Sequence, residues 1–293
     1  MEFALKMIFE VLSYASIMVI IVLGLAVIIS MMDIVNIAHA EFVMLGAYWV
    51  YLMELWQFPI WLAMMTAPLI VALLGIIVEK TIFRRLYDNV ITGILASYAL
   101  AIVLREGVRS LLQGKEYYVA VSYSGSIEVF GIQFSLWRMA IITITVIVII
   151  FCYLLLTRTS VGLKVRGALD NPSLARTSGI STTRLYSLTF AFGAGLAGLA
   201  GAMIVPLYGI SADLGARFLI QAFYSALLGG IGGFIEPVLG AVVVGSSLSG
   251  FQWLRNISGL DQFTSPVSID VMVFLVILIV VKLRPDGIFT SKQ

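Results

Sequence analysis

Between Val11 and Met32 the chain runs apolar and uncharged for as long as a bilayer is thick, and the next nine positions, Asp33 to Glu41, hold two carboxylates, an asparagine and the only histidine. At about 1.5 Å per residue, the first run crosses a hydrocarbon core of about 30 Å. The polar stretch does not continue it simply. An unbroken helix at about 100° per residue spreads Asp33, Asn36, His39 and Glu41 over roughly 200° of arc, which no single packing face absorbs. Lipid solvates neither such groups nor free backbone. The stretch therefore faces water, is buried against partner helices, or is broken at depth with its backbone lining a pathway. Two readings stay open. In one, Asp33 and Glu41 lie in a short cytoplasmic turn and His39 is packed as a neutral ring. In the other, a helix restarts near His39 and aims its positive N-terminal end and free N–H groups into the protein.

The remaining sequence has the same character. Hydrophobic residues make up 61% of the 293 positions and charged residues 12%, which points to an all-α polytopic membrane protein. A net charge of +2 suggests no nucleic-acid partner; the placement of Lys and Arg carries more than their sum. Cys152 has no second cysteine and lies in an apolar run, so neither a disulfide framework nor a cysteine metal site is available. The first apolar run has no basic leader beyond Lys6 and no small-residue cleavage pattern, and is expected to remain as a span.

Taken in order, Phe42 to Met53 is short for a crossing and ends in the interfacial flank Glu54, Trp56 and Gln57. Pro59 to Val78 is a span with Pro68 as a kink position, closed by Glu79, Lys80, Arg84 and Arg85. Asn89 to Leu112 carries Arg105, Glu106 and Arg109 at spacings that let them pair along one helix and anchor it at the surface. Gln113 to Gln133, polar and tyrosine-rich, is expected as an external loop or lid. Met139 to Leu156 crosses again. From Thr157 to Arg184, five Arg and Lys face the single acid Asp170, and the positive-inside rule makes this loop cytoplasmic.

In Leu185 to Leu207, Gly193, Ala197 and Gly201 recur at four-residue spacing, as do Ala194, Gly198 and Ala202, a face on which helices approach closely. Phe218 to Gly233 and Pro237 to Leu254 are split by glycines and Glu236, and Ile269 to Leu283 is the last span. Lys282, Arg284 and Lys292 put the C-terminus in the cytoplasm. The count is eight or nine crossings, nine placing the N-terminus outside. Interrupted segments near Asn36 to Gly46 and near Gly229 to Gly240, one in each half, form the pattern of two repeats meeting at a midplane site.

The basic loop has an organisation of its own. Val161 to Leu169 is helical in composition. Asn171 followed by Pro172 is a helix start, cap then first position, and Gly179 is a natural stop, so a short capped helix stands in a cytoplasmic loop. Chemistry motifs are absent: there is no Gly-x-x-x-x-Gly-Lys-Ser/Thr loop for nucleotide, and His39 has no Gly-x-Ser-x-Gly elbow to serve.

The run Asn36-Ile37-Ala38-His39-Ala40-Glu41-Phe42, followed by Met44, Gly46, Ala47 and Tyr48, resembles the signature of the permease subunits of branched-chain amino acid ABC importers and their urea and short-chain amide relatives. So do Ala168, Asn171, Ala175, Gly179, Ile180 and Arg184, the small residues from Phe190 to Gly201, Leu228-Gly229-Gly230-Ile231-Gly232, and Arg284-Pro285 with Gly287-Ile288-Phe289. The resemblance runs from residue 30 to the C-terminus in the family's order.

It implies one transmembrane permease domain over 1–293 in the cell membrane, with a cytoplasmic coupling loop at 157–184. The helix at Pro172 to Ser178 would seat in a separate ATP-binding cassette subunit, with Ala168, Asn171, Pro172, Ala175 and Gly179 as coupling residues. ATP would be bound there, leaving this chain without catalysis or cofactor. A second permease, homologous or a second copy, and an extracytoplasmic substrate-binding protein complete the expected assembly. Pathway candidates are Asn36, His39, Ala40, Glu41 and Glu236. Two departures bear on substrate: Ala40 stands where the family usually has Gly after the His, and Ile235-Glu236-Pro237 puts a carboxylate in a turn the family usually fills with small residues. A branched-chain or other hydrophobic amino acid is the expected cargo, with urea or a short amide as the alternative. A reading from another class is a lone carrier or channel driven by an ion gradient through Asp33, His39 or Glu41.

Overall fold

The computed structural model describes residues 2–32, 36–87, 89–119, 125–129, 131–230, 233–258, 266–284 and 287–289. Asp33, Gly232, Pro285 and Lys292, all used in the sequence reading, lie outside them. The helices are α1 (Glu2–Met32), α2 (His39–Leu55), α3 (Ile60–Thr81), α4 (Val90–Leu111), α5 (Leu136–Arg158), α6 (Ser160–Asp170), α7 (Pro172–Thr177), α8 (Thr182–Tyr208), α9 (Leu214–Gly229), α10 (Ile235–Ser258) and α11 (Pro266–Leu283). Among the described residues, five stretches are long and apolar enough to cross a membrane unaided: Leu5–Ser30, Ile60–Arg85, Val90–Leu111, Leu136–Arg158 and Thr182–Tyr208. With α2, α9, α10 and α11 they form an all-α bundle, which is the expected class.

Two helices make the centre. Most of α1 and α8 is buried, whereas α3, α4 and α5 bury only one stripe each. On α3 the stripe Ala67, Val71, Gly75 and Glu79 is buried, while Met65, Leu69, Leu73 and Ile77 are exposed. Rows at four-residue spacing lie on one helix face. The exposed row is what lipid would contact.

Small residues set how closely the centre packs. A Cβ on Gly198 would meet Val71 at 2.7 Å, one on Gly75 would meet Ala194 at 2.8 Å, and one on Gly193 would meet Ile28 at 2.6 Å. The small face expected on α8 thus serves three neighbours, α1, α2 and α3. As residue numbers rise along α3 they fall along α8, so these two run antiparallel.

The ends of the bundle differ. At one, the hairpin end, strands β1 (Ser126–Val129) and β2 (Ile132–Ser135) pair antiparallel. Phe9 of α1 stacks edge-on against Phe134 at 4.9 Å, Tyr51 of α2 lies 5.0 Å from Tyr117, and Tyr117 bridges to Ile210 after α8. At the other, the basic end, sit α6, α7, the end of α3 and the start of α8. The hairpin lies at the end of the stretch expected as an external loop or lid, Gln113 to Gln133: isoleucine, valine and phenylalanine alternate with polar residues on both sides of Gly131, a strand period with a turn.

Candidate translocation site

The polar interruption is a helix restart at depth. Ala38 caps α2 without a side-chain hydrogen bond, and α2 begins at His39. His39 Nε2 donates to the carbonyl of Ile21 in the middle of α1 at 3.1 Å, which fixes the proton on Nε2 because a carbonyl only accepts. The Ile37 N–H donates to Ser97 Oγ on α4 at 3.1 Å. After α1 ends at Met32, the chain therefore returns to the level of Ile21 before α2 climbs to the hairpin end.

Around this restart the polar groups are incompletely paired. Asn36 is 0% exposed, and among the described residues neither its amide oxygen nor its amide nitrogen has a hydrogen-bond partner. His39 Nδ1 is likewise unpartnered. Glu41 is fully buried; its Oε1 accepts from Arg105 Nε at 3.1 Å and from Arg105 Nη2, while among the described residues Oε2 has no partner. Arg105 and Arg109 do not simply anchor α4 along its own surface. Arg109 pairs with Glu106 on its own helix at 3.1 Å, but also with Asp213 at 2.8 Å, and Arg105 reaches across 64 positions to α2. A buried carboxylate attracts a guanidinium more strongly than exposed Glu106 does, because water screens the latter pair.

Asp213 precedes a second restart. The chain turns at Gly209 (φ 71°) after α8, and α9 begins at Leu214. A Cβ on Gly215 would sit 2.7 Å from the Ala40 carbonyl carbon, so the first turns of α2 and α9 touch. α1, break and α2 run down and back up; α8, break and α9 run up and back down. The partner of the Asn36 break is therefore the 209–213 break, not the Gly229 to Gly240 segment expected from sequence. The described part of that segment closes the α9–α10 pair at the basic end, where a Cβ on Gly240 would meet the Gly229 nitrogen at 2.7 Å. Its glycines permit close antiparallel packing. Glu236 stands in the first turn of α10, half-buried, with its carboxylate filling the space beside Gly233. It is not brought to Asn36, His39, Ala40 and Glu41, which the fold does gather.

At the basic end, Asn171 Oδ1 accepts from the Leu174 N–H at 2.9 Å and Pro172 is the first residue of α7. Ala168 and Ala175 are buried, and Gly179 has φ 81° where α7 stops. Leu163 and Leu174 are exposed, at 65% and 62%. Arg176 Nε donates to Thr182 Oγ1 at 3.0 Å, at the start of α8. One turn on, Ser187 donates to Glu79 at 2.5 Å, and Glu79 also accepts from Arg84 at 2.9 Å and Tyr87 at 2.5 Å. Burial and the adjacent Glu79 carboxylate push the Tyr87 phenol above its usual range. Polar contacts thus join α7 to α8 and α8 to α3. Sequence reasoning missed Glu79, reading it within a basic cluster; a carboxylate closing an apolar run with Arg five residues on was the available signal.

A buried helical core with lipid-facing rows, two helix restarts at depth and a capped helix in a basic loop define a membrane permease component. The chain matches the family described as "branched-chain amino acid transport system / permease component" over residues 7–282, and it belongs to that family. It is similar to the high-affinity branched-chain amino acid transport system permease protein BraD of Pseudomonas aeruginosa, 26% identical over 94% of this chain and 92% of that protein. It is similar also to the permease protein LivH of the corresponding high-affinity system of Escherichia coli K12, 24% identical over 97% of this chain and 94% of that one. A third relative is the probable branched-chain amino acid transport permease protein LivH of Methanocaldococcus jannaschii, 25% identical over 83% and 80%. No solved structure matches the chain.

Proposed function

We propose that this permease subunit forms half of a membrane pathway for branched-chain amino acids, and that ATP hydrolysis in separate ATP-binding cassette subunits drives it. Its partners are those subunits, a second permease of the same kind or a second copy, and an extracytoplasmic protein that delivers substrate. The whole chain is one permease domain, with 157–184 as the cytoplasmic coupling loop, and the C-terminus is cytoplasmic.

The observation that carries the reading, beside family membership, is the loop itself. α7 is capped at Asn171, presents Leu174 to solvent and is tied through Arg176 to Thr182. An exposed apolar side chain on a small rigid helix is what a docking groove would grip. Movement there would reach α8 and α3 through Thr182, Ser187 and Glu79. In this reading the touching starts of α2 and α9 form the gate: Asn36 and His39 line the path once the helices part, Glu41 with Arg105 holds the gate together, and Glu236 tunes which substrate passes.

The test is labelled L-leucine uptake into vesicles holding the assembled complex, with urea and acetamide in parallel. Leucine uptake that requires the ATPase and ATP, and that falls in Asn36→Leu and His39→Leu, supports the reading. Uptake of urea or acetamide but not leucine contradicts the substrate. Normal transport in both variants removes the gate.

A further inference from the structure

Near the hairpin end four helices leave a cavity of about 260 Å3 that none of the candidate site residues touches. Its place follows from where those helices begin and end. Glu10, Ser13 and Ile17 come from the first half of α1, Arg138 from the first turn of α5, Tyr208 from the end of α8, and Ser249 and Trp253 from the second half of α10. Ile17 lies one helical turn from Ile21, whose carbonyl holds His39, so the cavity and the start of α2 are neighbours along α1.

The lining is chemically specific. Glu10 and Arg138 share one cavity, yet among the described residues neither has an ion-pair or side-chain hydrogen-bond partner. Opposite charges at a membrane protein's edge that do not close onto each other are held by water or await a ligand between them. Ser13 is 1% exposed, and among the described residues its hydroxyl has no hydrogen-bond partner. A buried hydroxyl left unpaired costs free energy that a bound polar group recovers. Ile17 and Trp253 supply apolar wall beside these groups. The volume lies just below the roughly 300–1,000 Å3 of drug-sized pockets, a size for a small metabolite.

We infer that this cavity binds a free zwitterionic α-amino acid. The Arg138 guanidinium takes the carboxylate, the Glu10 carboxylate and the Ser13 hydroxyl take the ammonium, and the apolar wall takes the side chain. Arg suits the carboxylate because its planar fork matches two oxygens at once. The inference rests on the proposed amino-acid permease function and adds a first station at the end of the pathway away from the ATPase.

The experiment is equilibrium binding of labelled L-leucine to the membrane complex of permeases and ATPase in nanodiscs, without nucleotide and without the extracytoplasmic binding protein. Competitors are 4-methylpentanoate, which lacks the ammonium, and 3-methylbutylamine, which lacks the carboxylate. Wild type should prefer leucine to either by about tenfold or more, equal to about 1.4 kcal/mol. R138Q should weaken leucine by a similar factor and erase its advantage over the amine. E10Q should erase its advantage over the acid, and S249L, which fills the cavity, should abolish binding. R138K should restore part of the carboxylate preference, and with S249L it keeps the question answerable where R138Q fails to assemble. Leucine binding that R138Q, E10Q and S249L all leave at wild-type strength and selectivity overturns the site and leaves the amino-acid permease standing. No leucine binding by a wild-type complex that still takes up leucine with ATP and the binding protein overturns the site alone, and the absence of both binding and ATP-driven uptake overturns both.

Discussion

Replacing Gly201 by Ala adds one methyl group where α8 meets α2, and its cost can be worked from the backbone. The new Cβ would lie 2.8 Å from the Val43 carbonyl carbon and 2.8 Å from the Ala47 amide nitrogen, and nearer still to the Val43 carbonyl oxygen. These are backbone atoms, so no rotamer change relieves the clash. The carbon and nitrogen contacts alone would part the helices by about 0.6 Å to reach ordinary contact near 3.4 Å, and the nearer carbonyl oxygen demands more. The contact at Gly46, where a Cβ would meet Gly198 Cα at 2.6 Å, would loosen with it. Overpacking of this kind costs about 1–3 kcal/mol, and the better helix propensity of Ala offsets up to about 1 kcal/mol, so a net loss of about 1–2 kcal/mol is expected. Gly107→Ala on α4 is the control: nothing lies within 4 Å of its Cβ, so propensity acts unopposed. Heating detergent-solubilised protein and measuring the monodisperse fraction reads the difference. At roughly 2–4 °C per kcal/mol, Gly201→Ala should melt several degrees low and Gly107→Ala at or above wild type. Equal melting of the two variants would refute the close α2–α8 packing.

Glu41→Gln should leave Arg105, whose side chain is 25% exposed, beside a buried neutral amide. Breaking a fully buried pair costs about 3–5 kcal/mol and this partly solvated one less, so folded yield should fall, and joint replacement with Arg105→Met should recover much of it. Asn171→Ala removes the α7 cap, worth about 1 kcal/mol, and Gly179→Val forces a branched residue to φ 81°. Both variants should insert normally while leucine uptake falls relative to ATP hydrolysis, measured on the same vesicles. In a Cys152→Ser background, cysteines at Lys164 and Arg176 should react with an impermeant thiol reagent only from the cytoplasmic side, and one at Lys115 only from outside.

How much of this was legible in the sequence depends on the range of the interaction. Asn171-Pro172 announced α7 and Gly179 its end because capping is decided within four residues. The restart at His39 was visible because four polar groups on an arc no face absorbs need a local explanation. The small face of α8 was visible as a four-residue repeat. Arg105 was misassigned to local pairing because Glu41, 64 positions earlier, leaves no mark near it. The second restart was sought at Gly229 to Gly240, where glycines are densest, but glycine density also marks close antiparallel helices. Tyr208-Gly209 looked like an ordinary span end until the fold put Gly215 against Ala40. The cavity of Glu10 and Arg138 draws on four helices and has no local pattern at all.

L-leucine accumulation by vesicles carrying this chain with its partner permease, binding protein and ATPase decides whether the chain works as one part of an ATP-driven importer. Accumulation should require all of them together with ATP, and should persist when ionophores collapse the ion gradients. Accumulation that proceeds without the ATPase and collapses with ionophores would contradict the account and make the chain a lone ion-coupled carrier.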